Sequence, residues 1–390
     1  MSRRPTAVLV PVLMTGLLTV LLTAGSAAAY APSSGAVFNN PYGNQSSRSV
    51  ILRHVLAAIK HTHKGSTIRI AVYSFDRRSI ANALIKAHRR GVHTQVVIND
   101  NWTSRQIRRT RHVLGSNPKH KSFIVICKGS CRGGFGNQHM KFYLFTHTGT
   151  AHNVLMNGSA NLTNYAAVNQ FNDLYTFNRS PAMVAAYTKI FDQLKYDHRV
   201  RHPYRVVTAG GFTSVFYPRP GTRKANDPVL ERLRTVHCRA KKGTGAHHHS
   251  VMRIAMYGWV GHRGRYLADR VAHMGRLGCR IKVILSNGGG EVAKSLRAGG
   301  VSVRSADVDR NHDGMLEKFT HEKYMALDGT YGSHGTHSVW TGSENWSGMA
   351  LRNDDVVVRI PLASAYRSYV RNFDFIWHRH THRISTHYGE

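Results

Sequence analysis

Acidic side chains are scarce in this sequence, where 20 Asp and Glu stand against 54 Lys and Arg. The resulting formal net charge of +34 produces a field that attracts polyanions. Nucleic acid, anionic lipid surfaces and cell-wall polymers all fit such a field, and a purely solubilising role fits it too. The charge therefore favours a polyanionic partner but does not show which kind.

Long apolar runs are absent beyond the first residues, so no later segment is expected to span a membrane. At the start, two arginines precede an apolar stretch, residues 7–23, that leads to an A-x-A pattern at residues 27–29. The stretch contains Pro11 and Gly16 and is shorter than the roughly 20 residues of a spanning helix. We expect residues 1–29 to be the cleaved signal peptide of a secreted protein, exported by either the general or the twin-arginine route.

Cysteine is rare as well, and the residues are Cys127, Cys131, Cys238 and Cys279. An even number in an exported protein favours two disulfides, for which three pairings exist. We predict the pairs Cys127–Cys131 and Cys238–Cys279. The alternative is a zinc site that includes the histidines at 247–249, but the spacing fits no closed four-ligand pattern well.

The chain contains an internal duplication whose copies follow the same order. The matched segments are Ser66–Phe75 with Ser250–Trp259, Gln138–Phe145 with Thr320–Leu327, and Asn157–Asn161 with Thr341–Asn345. Each copy predicts a strand, a helix, a strand and then further strands that carry polar motifs. We expect an α/β fold of two α/β/α sandwich halves, residues 30–200 and 201–390, packed about a pseudo-two-fold axis. A monomer would then be an internal pseudo-dimer, with equivalent motifs brought together.

The repeated polar residues form a set suited to a phosphate. His139 and Lys141 are two residues apart, as are His321 and Lys323, so each strand presents an imidazole and an ammonium on one face. Histidine can act as nucleophile, acid or base near neutrality. With two histidines, one can attack phosphorus while the other protonates the leaving oxygen. The residues predicted to contact the phosphate are Ser159, Asn161, Ser343 and Asn345.

The pattern H-x-K-x4-D followed by G-S-x-N, present in two copies, resembles the phospholipase D superfamily over about residues 36–377. The resemblance implies that His139 is the nucleophile and His321 the general acid. It also implies that Asp173 and Asp354 orient the two imidazoles through hydrogen bonds.

Two departures from expected motifs accompany this resemblance. Asp328 completes the second motif, whereas the first copy has Thr146 at that position, which we interpret as structural support. The segment Asp309–Gly314 begins like a calcium-binding loop, but Thr320 stands where that loop needs glutamate. We therefore predict a turn at the rim of the active site, and expect neither a metal ion nor another cofactor.

The resemblance implies a metal-independent phosphodiesterase. Secreted two-copy relatives point first to phospholipid hydrolysis, which releases the head group and leaves phosphatidic acid. The alternative is a nonspecific secreted endonuclease, in which the basic segment Arg105–Arg111 with Trp102, Lys119 and Lys121 would follow a nucleic-acid backbone. A third interpretation is a non-catalytic basic protein that binds polyanions, although both intact H-x-K pairs count against it.

Overall fold

The computed structural model of the protein describes residue 1, residues 29–311 and residues 313–384. Residues 2–28, which hold the predicted signal peptide apart from its two ends, lie outside the described residues. Over the described ranges, no helix is long and apolar enough to cross a membrane.

The first half is a single sheet with helices on its faces. Its strands are β1 Gly35–Phe38, β2 Thr67–Ala71, β3 His93–Asn99, β4 Phe123–Cys127, β5 Phe142–Thr148, β6 Ala151–Gly158 and β8 Asp173–Phe177, with the short β7 Gln170–Phe171 outside the sheet. Its helices are α1 Gln45–Arg48, α2 Val50–Lys60, α3 Arg78–Arg89, α4 Arg105–Leu114, α5 Asn164–Asn169 and α6 Pro181–Leu194. The strand order is β1-β8-β6-β5-β2-β3-β4. Strands β2, β3 and β4 are parallel because α3 and α4 connect them as crossovers.

The second half repeats this arrangement and extends it. Its strands are β9 Arg205–Ala209, β10 Phe212–Phe216, β11 Val236–His237, β12 Val251–Trp259, β13 Arg280–Gly288, β14 Ser302–Ser305, β15 Phe319–Thr320, β16 Lys323–Tyr331, β17 His334–Gly342 and β18 Val356–Ile360. Its helices are α7 Pro228–Thr235, α8 Gly261–Arg276, α9 Gly290–Ala298 and α10 Ala363–Arg379, with 3-10 turns at Lys224–Asn226 and Met349–Leu351. The strand order is β14-β13-β12-β16-β17-β18-β10-β9, and β11 pairs with β16.

The two sheets share one topology, which confirms the predicted duplication and fold class. Strands β10, β18, β17, β16, β12, β13 and β14 follow one another as β1, β8, β6, β5, β2, β3 and β4 do in the first sheet. The equivalent helices α3 and α8 also end alike, because Gly91 (φ +86°) and Gly278 (φ +88°) take the left-handed conformation just past each helix.

A central apolar cluster joins the two halves. It contains Phe142 from β5, Tyr324 from β16, Tyr187 from α6 and Tyr369 from α10, all fully buried or nearly so. Separate clusters lie beneath α2 to α4 in the first half and beneath α7 to α9 in the second. Each sheet is therefore covered on both faces, and the shared cluster fixes one half against the other.

The disulfides are those predicted. Cys127 and Cys131 are bonded with their Cα atoms 5.2 Å apart, and Cys238 and Cys279 with theirs 4.6 Å apart. All four sulfurs are thus engaged. The alternative zinc site loses the thiolates it required.

Candidate active site

The two H-x-K motifs meet where the halves join. His139 lies just before β5 and His321 just before β16, which are equivalent strands. The backbone N–H of His139 donates to the carbonyl of Asp354 at 2.9 Å, and that of His321 donates to the carbonyl of Phe171 at 2.9 Å. Each histidine is thus held by the other half, which is the exchange expected around a pseudo-two-fold axis.

Each imidazole is also oriented by a side chain from the other half. Nδ1 of His139 lies 2.9 Å from Oδ1 of Asp355, and Nδ1 of His321 lies 3.0 Å from Oδ1 of Asn172. A carboxylate only accepts, so Nδ1 of His139 carries the hydrogen and Nε2 has the lone pair. The amide of Asn172 is fixed because its nitrogen donates to the carbonyl of Ala166 at 3.2 Å. Its oxygen therefore gives neutral His321 the same tautomer.

These contacts correct the orienting residues predicted from the sequence. Asp173 accepts hydrogen bonds from the hydroxyls of Thr341 and Tyr369, the second at 2.8 Å. Asp354 accepts from the hydroxyl of Ser130 at 2.9 Å. Among the described residues, neither carboxylate is hydrogen-bonded to an imidazole; both instead support the packing beneath the site.

The physical reason is the register of the strands. Pairing of β1 with β8 places Phe38 opposite Asp173, and pairing of β10 with β18 places Phe216 opposite Val356. The sequence comparison had instead matched Asp173 with Asp354, which shifts one copy by two residues. The residue immediately before β8 or β18 is the one that reaches the imidazole.

The serines of the G-S-x-N motifs support these orienting residues. Ser159 donates to Asn172 at 3.2 Å, and Ser343 helps to lower the pKa of the Asp355 carboxyl. Each hydroxyl also accepts a backbone N–H from the start of β8 or β18 at 3.0 Å. Both serines thus hold the start of β8 or β18 in place, and their contact with a phosphate stays a prediction.

The lysines and asparagines lie at the same join. The ammonium groups of buried Lys141 and Lys323 each donate to the carbonyl of the histidine in their own motif. The side-chain oxygen of Asn345 accepts from the backbone N–H of Gly258 at 3.1 Å, whereas that of Asn161 is buried without a hydrogen-bond partner in the described chain. Contact of these residues with a phosphate remains a prediction.

Two tyrosines beside the imidazoles were missed by the sequence reasoning. Tyr73 meets the first imidazole edge-on with ring centroids 5.8 Å apart, and the centroid of Tyr257 lies 4.9 Å from that of the second. The ammonium nitrogens of Lys141 and Lys323 lie 5.7 and 5.0 Å from the centres of these same rings. The tyrosine faces thus stabilise two buried cations. The matched segments that revealed the duplication contain both tyrosines at the same position, and that was the available signal.

The motif position that differs between the copies has structural contacts in both. Thr146 accepts the backbone N–H of Thr67 at 2.8 Å, and Asp328 accepts that of Gly245 at 2.7 Å. Both contacts join a central strand to a neighbouring segment of its own half. The threonine can therefore take the place of the aspartate here as a hydrogen-bond acceptor.

The calcium-like segment forms a turn whose carboxylates bind its own backbone. Asp309 accepts the N–H of Gly314 at 3.0 Å, and the carbonyl of Leu316 accepts the hydroxyl of Tyr165 at 2.9 Å. Phe319, three residues further, packs against Tyr257 with ring centroids 5.3 Å apart. The turn thus borders the site of His321.

The match to a known family covers both halves. The family described as "Cardiolipin synthase, PLD-like domain" matches residues 55–195 and 246–377, which include both H-x-K motifs. The chain belongs to this family. PLD-like proteins act on phosphodiester bonds, and membership supports phosphodiester-transfer chemistry in general.

Two solved structures share this fold at low identity. Phosphatidylserine synthase from Haemophilus influenzae Rd KW20 is 10% identical with a TM-score of 0.58, covering 90% of this chain and 89% of that one. Polyphosphate kinase from Porphyromonas gingivalis is 14% identical with a TM-score of 0.54. The match covers 88% of this chain but only 50% of the kinase. Nuc from Salmonella typhimurium, a phospholipase D family member, is 21% identical over 43% of this chain and all of its own, with a TM-score of only 0.32. No curated protein matches the sequence.

The PLD-like site is dominated by buried positive groups. Burial, reinforced by Lys141, lowers the pKa of His139 to about 4, and burial lowers the pKa of Lys141 itself to about 7. Burial and the neighbouring lysines hold the pKa of His321 well below its usual value, and Lys323 is shifted in the same direction by burial and Lys141. Against its burial, the pKa of Asp355 is lowered by His139 and Lys141. In the free site, the two histidines and two lysines are therefore harder to protonate than usual. An anion bound between the motifs would raise their pKa values and favour protonation.

Inhibition by sulfate should weaken as the pH rises above about 7. The pKa of Lys141 is about 7, so its ammonium is charged below that pH and neutral above it, whereas sulfate keeps a constant charge over this range. We expect the inhibition constant to rise on the order of tenfold between pH 6 and pH 8.5, which is about 1.4 kcal/mol. Initial rates on a small diester, measured at fixed ionic strength, check this. A flat profile would contradict the titration of buried cations in the site.

Proposed function

We propose that this protein is a secreted phosphodiesterase that works without a metal ion, with His139 as nucleophile and His321 as general acid. The observation that carries the proposal is the pair of imidazoles held by hydrogen bonds exchanged between the halves, each in a motif with a buried lysine. Such a pair can divide one difficult displacement into two easier ones through a covalent intermediate.

In the first step, the Nε2 lone pair of His139 attacks phosphorus. The bond from phosphorus to the leaving oxygen breaks, and that oxygen takes a proton from Nε2 of protonated His321. In the second step, neutral His321 takes a proton from water while the water oxygen attacks phosphorus. The phosphorus–nitrogen bond breaks, its electron pair returns to His139, and His321 ends protonated as it began.

Binding of the substrate prepares His321 for this role. In the free site, burial and nearby cations favour the neutral imidazole. A phosphodiester anion adds negative charge between the motifs and so favours protonation of His321. Lys141 and Lys323 then lie beside the non-bridging oxygens, where their charge stabilises the transition state.

The unequal support of the two imidazoles fits these unequal roles. Phosphorylation at Nε2 makes the ring of His139 cationic, and the carboxylate of Asp355 lies at its Nδ1 to stabilise that charge. His321 has only the neutral amide of Asn172 at Nδ1, which leaves its imidazolium more acidic. A more acidic imidazolium gives its proton to a leaving oxygen more readily.

Two substrate classes remain candidates for the proposed reaction. Phospholipid, with phosphatidic acid as product, follows from the resemblance to secreted two-copy relatives. Nucleic acid is favoured by the high positive charge and by exposed Trp102 together with exposed arginines on α4, among them Arg105, Arg108 and Arg111. Simple polyanion binding without turnover is the outcome expected if neither is cleaved.

Turnover should persist in EDTA. The mature protein, residues 30–390, is incubated in EDTA at moderate salt with bis(4-nitrophenyl) phosphate, phosphatidylcholine and phosphatidylglycerol vesicles, single-stranded DNA and RNA. We expect release of 4-nitrophenol at a rate within about twofold of that without EDTA, because protein side chains carry every proposed step. Released choline or glycerol would identify a phospholipase, and shortened strands a nuclease.

A parallel preparation of His139→Ala controls for contaminating enzymes. Loss of all turnover in EDTA would reject the metal-free mechanism. Turnover that is equal in the variant would assign the activity to a contaminant and remove the support for the proposed site.

A further inference from the structure

An open cavity of about 1090 Å³ lies beside the active site and is lined by cations. The cations that line it, apart from Arg263, are Arg199, Arg219, Arg223, Lys224 and Arg352, and His262 also lines it. We call this cavity the cationic groove. Its volume is slightly above the roughly 300–1,000 Å³ typical of small-molecule sites. The groove therefore has room for more than one phosphate-bearing unit.

Within the described chain, most of the cations that line the groove have no acidic partner. Among the described residues that line it, none is acidic. A further lining arginine, Arg263, is buried and bound to Asp227 at 2.7 Å and to Glu344 at 2.8 Å. The five lysine and arginine groups named above form no such ion pair within the described chain. Their charge is available to an anionic ligand.

The groove takes most of its lining from the second half and the rest from residues 133, 135 and 199 of the first. After β10, residues 217–227 lead to α7 and contribute Arg219, Arg223 and Lys224, and after the equivalent β1 the corresponding residues 39–49 lead to α2. Here Tyr42 stacks on His380 with ring centroids 4.3 Å apart, and Lys318 donates to the carbonyl of Pro41 at 3.2 Å. The chain itself covers this segment, while the corresponding segment of the second half is open.

The wall of the groove is continuous with the active site. A Cβ on Gly136 would lie 2.5 Å from the carbonyl oxygen of Arg352, so the disulfide loop packs directly on the groove. Asn137 then donates to the side chain of Asn353 at 2.9 Å and accepts from the N–H of Asp354 at 2.8 Å. Arg352 is three residues before Asp355, which orients His139. The groove therefore adjoins the chain segment that orients His139.

We propose that the cationic groove binds the backbone of single-stranded nucleic acid whose scissile phosphodiester lies between His139 and His321. This rests on the proposed phosphodiesterase function and assigns its substrate class. Five cations that form no ion pair within the described residues lie in one groove and can contact successive phosphates along a strand. A phospholipid has one phosphodiester, which the two histidines would already bind. Exposed Phe135 at the edge of the groove offers a ring on which a base can stack.

The test reverses charge in the groove and, separately, at the far end of α8. The groove variant is Arg219→Glu with Arg223→Glu, and the matched control is Arg276→Glu with Arg280→Glu, which are exposed and make the same change in net charge. Helix α8 runs from the groove at Gly261 to Arg276, roughly 22 Å away at 1.5 Å per residue. Affinity for a 20-nucleotide DNA strand is measured by fluorescence anisotropy in a His139→Ala background, so that the strand is not consumed.

We expect the groove variant to weaken DNA binding on the order of tenfold or more and the control to weaken it by less than about threefold. The slope of log Kd against log salt should fall by about 1.4 in the groove variant, since each lost phosphate contact removes roughly 0.7 on a single strand. With His139 restored, the loss in kcat/KM on DNA should exceed any loss on bis(4-nitrophenyl) phosphate by on the order of tenfold. The small diester has a single phosphate and does not reach the groove.

Equal weakening by the two variants would overturn the proposal, because it would assign binding to overall charge. Binding of phosphatidylglycerol vesicles that depends on the groove, with DNA binding unchanged, would overturn it in favour of a lipid surface. Groove-dependent DNA binding without turnover of any diester would support the groove and reject the phosphodiesterase function. Turnover of the small diester, together with DNA binding that does not depend on the groove, would reject the groove proposal and support the phosphodiesterase function.

Discussion

His139→Ala should lose both turnover and the covalent step, whereas His321→Ala should lose turnover but still form a phosphohistidine from an activated diester. The first substitution removes the atom that bonds to phosphorus. The second removes the proton donor, which a good leaving group such as 4-nitrophenolate does not need. For each variant we expect steady-state kcat to fall on the order of 10⁴-fold on an unactivated diester, at the upper end of general acid–base effects.

A burst experiment separates the two histidines. With bis(4-nitrophenyl) phosphate, His321→Ala should release close to one equivalent of 4-nitrophenol and then stall, because no base activates water for the second step. His139→Ala should release none. Alkaline quenching preserves the phosphohistidine, which acid would hydrolyse, and the labelled peptide should contain His139.

The exposed His273 supplies a matched substitution, since it lies on α8 away from both motifs. His273→Ala should keep full activity. Thermal melting of all three variants shows whether they fold, as the catalytic imidazoles are largely buried and make interhalf hydrogen bonds. A folded, fully active His139→Ala protein would contradict the two-histidine mechanism, and a label on His321 would exchange the two roles.

Much of the fold was predictable because the two copies keep similar segments in the same order along the sequence. The segments around Tyr73 and Tyr257 match each other, and the G-S-x-N motifs follow at the same spacing, so the topology of one half predicted that of the other. The cysteine pairs were also predictable, since Cys127 and Cys131 are close in sequence and leave the other two to pair.

The residues behind the imidazoles were not predictable in the same way. Two adjacent carboxylates, Asp354 and Asp355, follow one motif, and only strand register shows which of them reaches His139. The partner of His321 is an amide, Asn172, so a search for repeated aspartates passes over it. Successive side chains of a strand face opposite sides of the sheet, so an alignment error of one residue selects the wrong side chain.

The cationic groove was beyond sequence analysis for a different reason. Its cations come from separate segments around Arg199, Arg219 and Arg352, and none of these forms a motif. The basic segment that the sequence did single out, Arg105–Arg111, lies on α4 in the first half. The overall charge predicted a polyanionic partner. The gathering of several cations in one concave surface depends on how distant segments fold together, which the sequence does not show.

Asp355→Asn should reduce kcat on the order of 10²-fold to 10⁴-fold, and Asp354→Asn by less than about tenfold. Asp355 is the carboxylate at Nδ1 of His139, and its pKa is held below the usual range, so it is ionised throughout the neutral pH range and stabilises the cationic phosphohistidine. Burial raises the pKa of Asp354 to about 7, so an amide there resembles a form already populated at neutrality. The burst should slow in Asp355→Asn and keep its rate in Asp354→Asn.

A purely structural role for Asp355 would lower stability without slowing the burst in the folded fraction, so melting temperature and burst rate are measured together. The reciprocal change, Asn172→Asp, places a carboxylate at Nδ1 of His321 and should raise the pKa of that imidazole. The limb of the pH–rate profile that reports loss of the acid should then move to higher pH, because His321 keeps its proton longer. If the limb does not move, or if Asp354→Asn proves the more damaging substitution, the unequal support of the two histidines does not set their roles.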